Sequence, residues 1–238
     1  MQHDDTSPRR SNCWVFSGLG ADHRLYQAID WRPVEAAGWA IHPIDWRAIG
    51  PARDMADFVR RALALGIADG DLLIGSSFGG MLVASMQERL PNSPAVLLGS
   101  ASHPREFNRL GDLVLPLLQP ELLRSLQWLA WPLVVLSHPR RVAVRMFRDS
   151  DVRIMARMLR TLLSWPGAPP SRRRRRLHGR YDPLIRWRRG RERVTLLSAT
   201  HLTSLEKPRA VGRWLAEQMF EVSRRVGTLS ASHGDSRR

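Results

Sequence analysis

Ile74-Gly75-Ser76-Ser77-Phe78-Gly79-Gly80 reads G-x-S-x-G with Ser77 at its centre, and its flanks decide how it is read. Before it, Asp71-Leu72-Leu73-Ile74 is a short apolar run opened by the turn-like pair Asp69-Gly70. After it, Met81 to Leu90 runs without a helix breaker until Pro91. Strand, glycine-bracketed serine, helix is the setting in which a sharp turn presents a serine hydroxyl as a nucleophile. Such a turn strains the serine backbone, and side chains two positions away on either side would collide. Gly75 and Gly79 remove those collisions, and Gly80 lets the helix pack close to its neighbours. The amide of Phe78 and the start of the helix then point to where an oxyanion would develop. The bland alternative is a strand-to-helix turn whose serine caps the helix. Ser76 is the rival serine, but it lies off the glycine-bracketed position.

Working outward, the chain of 238 residues is long enough for one α/β domain with an insertion. Hydrophobic residues make up 43% and charged residues 25%, the balance of an ordinary globular protein. A single cysteine, Cys13, excludes an internal disulfide framework and fits a reducing compartment. It reads as a small buried residue near a strand start. Residues 1–8 contain no apolar leader-like run, so the expected location is cytoplasmic. The formal net charge is +15, yet Lys207 is the only lysine among 37 basic residues. Arginine replacing lysine throughout points to a coding bias rather than to a phosphate-reading surface. No specific nucleic-acid partner is expected, only salt-sensitive, sequence-blind adhesion to polyanions.

Upstream of the motif, Asn12 to Phe16 reads as a strand, followed by the Gly-rich loop Ser17-Gly18-Leu19-Gly20-Ala21-Asp22. Trp39 to Ile44 is a second strand, with Pro43 arguing for an edge. Met55, Phe58, Val59, Ala62 and Leu63 fall on one helical face, and Gly66 supplies a stop. The helix after Ser77 is apolar almost all round and should be buried. Ala95 to Leu98 is a further strand. Strands alternating with helices in this way predict a mostly parallel sheet covered on both faces.

From about residue 104 to 167 the alternation stops, and helical stretches at Glu121–Trp131 and Val152–Leu163 dominate. This reads as a helical insertion in one domain spanning residues 12–222, with residues 1–11 and 223–238 as polar, disordered tails. Ser125 to Leu136 is strongly apolar but too short to span a bilayer. It is either the core of the insertion alone or also a lipophilic lining over a site, which makes Trp128, Trp131 and Leu133 candidate substrate contacts. After Ala168-Pro169-Pro170 the alternation resumes. Arg172–Leu177 leads to Asp182, Arg193–Leu197 leads to His201, and a last helix starts near Pro208.

A serine nucleophile needs a base, and the base needs an anion to fix its tautomer. Loops after parallel strands all emerge at one edge of the sheet, so partners for Ser77 should follow later strands. Asp182 and His201 do so, in the order Ser, Asp, His. The other histidines fit less well. His103 and His138 border the insertion, His178 ends a strand and reads as a structural hydrogen-bonding residue, and His233 lies in the tail. Asp149 and Asp151 sit in an Arg-rich segment, where solvated ion pairs are the default.

Phe16-Ser17-Gly18-Leu19-Gly20, Gly75-Ser76-Ser77-Phe78-Gly79-Gly80, His178-Gly179-x-x-Asp182-x-x-Ile185 and His201 together resemble the α/β-hydrolase superfamily over about residues 12–220. The resemblance implies a mostly parallel sheet flanked by helices with a helical cap, and a Ser-His-Asp triad. In it Ser77 is the nucleophile, His201 the general base and acid, and Asp182 the orienting carboxylate. The amides of Leu19 and Phe78 form the oxyanion hole. It implies a serine hydrolase cleaving a carboxylic ester or thioester of a small molecule through an acyl-enzyme, with no metal or organic cofactor. The alternatives are a C–C bond hydrolase or lyase on the same fold, or a non-catalytic binding protein. Two features depart from the pattern. Ser17-Gly18 stands where the superfamily usually has His-Gly. The strand before His178 opens with five consecutive arginines, Arg172 to Arg176, where buried aliphatics are usual. Five arginines cannot all enter a core, so this strand is expected either to be exposed at its start or to support Asp182 poorly. The sheet is also expected to lack the first two strands of the full superfamily.

Overall fold

The computed structural model describes residues 11–108, 119–130, 140–187 and 192–219. Among them β1 (Ser11–Phe16), β2 (Trp39–Pro43), β3 (Leu72–Ser76), β4 (Ala95–Leu98), β5 (Arg174–Gly179) and β6 (Arg193–Leu197) form one sheet. Its order is β2-β1-β3-β4-β5-β6, and every pairing is parallel. Pro43 does end an edge strand. The order reverses between β1 and β3: the chain leaves β1 toward β2, then returns to lay β3 on its other side. The switch point of the sheet thus lies between β1 and β3, where the loop carrying Leu19 and the turn carrying Ser77 emerge at the carboxyl edge.

Three helices precede β3: α1 (Arg32–Ala36), α2 (Trp46–Ile49) and α3 (Met55–Leu63). The predicted face of α3 buries Met55, Phe58, Val59 and Ala62, and Asp54 caps it by accepting the Asp57 amide. The helix α4 (Phe78–Met86) follows β3 directly, and eight of its residues are buried. Side chains alternate across the sheet with the period of two that a strand imposes. Phe16, Leu73, Ala95 and Leu97 join Trp46, Phe58, Phe78 and Met81 on one face. Cys13, Val15, Leu72, Ile74, Val96, Leu98 and Leu177 join Tyr26, Val211, Trp214 and Leu215 on the other. Two covered faces explain why these strands read as continuous apolar runs.

Between β4 and β5 the described elements are helical: a 3-10 turn at Pro104–Glu106, then α5 (Pro120–Leu129), α6 (Arg140–Asp149) and α7 (Val152–Ser164). Leu123, Met155, Ala156 and Leu159 form a small core of their own, against which Leu19 and Phe147 pack. Asp149 pairs with Arg24 at 2.9 Å, and Asp151 caps α7. After β6 come α8 (Thr203–Glu206) and a helix, α9, over 208–219. No helix among the described residues is long and apolar enough to cross a membrane.

The arginine run resolves by the same alternation. Arg172 and Arg173 precede the strand and are exposed, whereas Arg174 and Arg176 point into the core. They occupy the positions beside Ala95 and Leu97. Arg174, fully buried, donates to Gln87 Oε1 at 2.8 Å, to Glu192, and to the carbonyls of Ala84 and Pro169. Arg176 donates to Glu106, to Glu192 and to the Ser100 carbonyl at 2.7 Å. Two buried guanidinium groups face the buried carboxylate of Glu106 and the half-buried one of Glu192, which leaves no net charge and is the condition for burying them at all. Of the two expected outcomes, an exposed strand start or poor support of Asp182, the first is corrected: the strand starts at the buried Arg174, and Arg172 and Arg173 before it are exposed.

Candidate active site

Ser77 is the only non-glycine residue among the described residues with a positive φ, 49°. An L-residue adopts that conformation only where its surroundings force it. Here the forcing is visible. A Cβ on Gly75 would run into the carbonyl of Gly79 and the amide of Gly80, and one on Gly79 would strike the carbonyls of Phe16 and Ser17. The strand, the turn and the first turn of α4 thus touch backbone to backbone. Gly80 packs on Ser100, whose hydroxyl donates to the Ser77 carbonyl at 2.7 Å. The amides of Gly80 and Met81 also return to that carbonyl, at 3.0 and 3.2 Å. Ser77 makes no side-chain cap bond to α4, so the reading of it as a mere helix cap is not met. Its hydroxyl is left for another partner.

That partner is His201. Its Nε2 lies 2.9 Å from Ser77 Oγ, and its Nδ1 lies 2.8 Å from Asp182 Oδ2. An ionised carboxylate only accepts, so Nδ1 carries the proton and Nε2 is free to accept from the serine. The three residues leave the carboxyl ends of β3, β5 and β6. The last two loops are stitched together: Arg180 N donates to Leu197 O at 2.8 Å and Tyr181 N to Ala199 O at 3.0 Å. Gly179 permits this approach, since a Cβ there would meet the Thr200 carbonyl. Glu206 holds the His201 loop through the amide and hydroxyl of Thr200.

The side chain of Asp182 is 1% exposed, and burial pushes its carboxyl up. The hydrogen bond and charge of His201, with the amides of Ile185 and Leu184, outweigh that and hold it below its ordinary value. It is therefore an anion at neutral pH. Cys13 offers no rival nucleophile, because it is buried and burial pushes its thiol well up.

No protein-family model matches the sequence, and no curated protein matches it either. Solved structures do. BpoC of Mycobacterium tuberculosis, described as a non-haem bromoperoxidase, is 18% identical with a TM-score of 0.65, over 90% of this chain and 92% of that one. An esterase of Exiguobacterium antarcticum is 14% identical with a TM-score of 0.61, over 90% and 92%. A carboxylesterase structure of the Thaumarchaeon Nitrososphaera gargenis is 14% identical with a TM-score of 0.58, over 95% and 92%. The chain has the α/β-hydrolase fold.

Within this α/β-hydrolase fold the loop after β1 lies against the elbow: a Cβ on Gly18 would fall 3.0 Å from Ser77 Cβ and 3.7 Å from its Oγ. Ser17, where the superfamily pattern has His, is buried and bridges the loop internally. Its hydroxyl donates to Ala21 O at 2.8 Å and accepts the indole N–H of Trp46 at 2.9 Å. Phe78 opens α4, where first-turn amides have no intrahelical acceptor. Its side chain stacks edge-on against Trp46 and Phe58. Leu19 is half-buried and packs toward α7. Trp128 is 80% exposed on α5, while Trp131 and Leu133 lie outside the described residues. His103 caps the turn before Glu106.

Sequence reasoning did not single out Trp46, Ser100, Glu106 or Glu206. Nothing local marks them, because their roles arise from contacts 29, 23, 70 and 6 residues away. Ser17 carried a signal, as the residue that breaks the family pattern.

Proposed function

We propose that the protein is a serine hydrolase that cleaves a carboxylic ester or thioester of a small molecule through an acyl-enzyme. The observation that carries this reading is the continuous hydrogen-bonded path from Ser77 Oγ through His201 to Asp182, beginning at a serine in strained backbone. Ser77 Oγ attacks the substrate carbonyl carbon as its proton passes to His201 Nε2, and the C=O pair moves onto oxygen. The amides of Phe78 and Leu19 stabilise that oxyanion; one such donor contributes roughly 3 kcal/mol. Collapse breaks the bond to the leaving alcohol, which takes the proton from His201. Water then attacks the acyl-enzyme with His201 again as base, releasing the acid and restoring Ser77. Throughout, the Asp182 anion stabilises the imidazolium.

The second reading is other chemistry on this fold, C–C bond cleavage or a lyase reaction. It is favoured by the spread of activities among similar structures, which include a bromoperoxidase as well as esterases. Hydrolysis of p-nitrophenyl acetate and butyrate separates the two. The wild-type protein should turn over at least one and Ser77→Ala neither. Equal turnover by that variant would remove the assignment, and inactivity of a protein that still labels at Ser77 would favour the second reading.

A further inference from the structure

A second histidine touches Asp182. His178 is the last residue of β5 on the face that also carries Arg174 and Arg176, and it is 1% exposed. Its Nε2 lies 2.8 Å from the Ile185 carbonyl and 3.4 Å from Asp182 Oδ2. A carbonyl only accepts, so Nε2 carries the hydrogen and donates it to Ile185 O, with Asp182 Oδ2 beside it at ion-pair distance. Its Nδ1 has no partner among the described residues. Asp182 Oδ1 is already taken by the amides of Leu184 and Ile185 at 2.9 and 3.0 Å. Oδ2 is the oxygen that receives His201. Ile185 is thus held twice, its amide by Asp182 and its carbonyl by His178, and it also bridges to Phe107. The two histidines meet at a single carboxylate oxygen.

We propose that His178 is a positioning residue acting through Asp182: its Nε2–H, fixed by the Ile185 carbonyl beside Asp182 Oδ2, keeps that oxygen aimed at His201 and takes up part of its negative charge. This rests on the reading of Asp182 as the orienting carboxylate. The groups facing the ring are Asp182 and the Ile185 carbonyl from the loop after β5, Arg176 two residues back, and His201 from the loop after β6. Glu106 lies beyond Arg176, bonded to its guanidinium. Burial pulls the His178 pKa down, and the Arg176 and His201 charges add to that against the pull of Asp182 and Ile185. A neutral ring with its one hydrogen on Nε2 is the form such a role needs.

Two variants test it. His178→Leu removes the donor at little cost in volume, whereas His178→Gln keeps an amide N–H near the Nε2 position. Without the donor, the full charge of Asp182 falls on His201. The acid limb of kcat/KM in His178→Leu should then rise by roughly half a pH unit or more. His178→Gln should return it to the wild-type position. NMR of isotope-labelled histidine follows the titration of His201 directly and should show the same rise without any turnover. This separates failure of the present inference from failure of the hydrolase reading. In the wild type the same spectra should show His178 protonated on Nε2 alone at neutral pH and taking its second proton only below the ordinary histidine value. That measurement stands even if His178→Leu does not fold. A His178 protonated on Nδ1, a His178 titrating near its ordinary value, or an unmoved His201 titration in His178→Leu would each overturn the proposal.

Discussion

Trp46 donates its indole N–H to the hydroxyl of Ser17 at 2.9 Å, and both side chains are buried. The same hydroxyl donates to Ala21 O, so one serine closes the loop on itself and ties it to the helix after β2. Where the superfamily pattern has an imidazole beside Gly18, this chain uses an alcohol clamped by an indole.

Trp46→Phe keeps the aromatic packing and deletes the donor. Losing a buried hydrogen bond costs about 1–3 kcal/mol. Because the loop carries the Leu19 amide, part of that cost should appear in kcat, about a tenfold fall with KM little changed. Steady-state kinetics on a p-nitrophenyl ester, with thermal melting alongside, checks it; a stability loss with kcat intact would show that the clamp serves folding alone.

Gly79→Ala is expected to abolish activity and to destabilise the fold by more than about 3 kcal/mol. The added methyl would meet the carbonyls of Phe16 and Ser17, backbone atoms that cannot swing aside. Denaturant titration reads the loss. A variant of near wild-type stability would mean that β1 and α4 are further apart than described.

Arg176 and Glu106 are a buried pair, 4% and 7% exposed at the side chain. Removing the Glu106 charge leaves two guanidinium groups, Arg174 and Arg176, facing the one carboxylate of Glu192, and such an uncompensated charge costs about 3–5 kcal/mol. Glu106→Gln should therefore destabilise strongly. It should also loosen the Asp182 loop, because the Glu106 carbonyl receives the Arg186 amide and Asn108 bonds to Leu184 and Pro183. Replacing both, Arg176→Met with Glu106→Gln, should cost much less than the sum of the single losses. Simple additivity in chemical denaturation would contradict the pairing.

Stability should depend on pH in two windows. His178 is depressed from its ordinary 6.5, chiefly by burial. As pH falls below 6.5 the unfolded chain takes up that proton before the folded one does. Its contribution is therefore complete above 6.5 and declines below it until the folded value is passed. Asp182 acts lower: held below 3.8, it contributes above that value and loses its contribution as pH drops through the folded pKa. Melting temperature should fall as pH drops below 6.5 in the wild type and flatten there in His178→Gln. Parallel curves would show that His178 is not held neutral.

The elements that sequence exposes are those whose cause is local. β3, the elbow and α4 were legible because a strand, two sterically required glycines and an unbroken apolar helix adjoin one another in the chain. Asp182 and His201 were legible because each follows a strand, and parallel strands deliver their loops to one edge. β5 was harder, since its arginines satisfy a sheet-face alternation whose partners, Gln87, Glu106 and Glu192, come from three other segments. A run of charge read alone says surface; only the fold supplies the carboxylates that allow two of the five inside. The predicted strand was also two residues early, because Arg172 and Arg173 precede the first pairing with β4. Trp128 shows the opposite error: an apolar residue in an apolar run that the helix turns outward.

The central claim is that Ser77 is a nucleophile activated by His201. Treating the folded protein with a fluorophosphonate and mapping the modified peptide tests it most directly. A single adduct on Ser77 is expected, lost in Ser77→Ala and strongly slowed in His201→Ala. Stoichiometric labelling elsewhere, or no labelling of a protein shown to be folded, would contradict it.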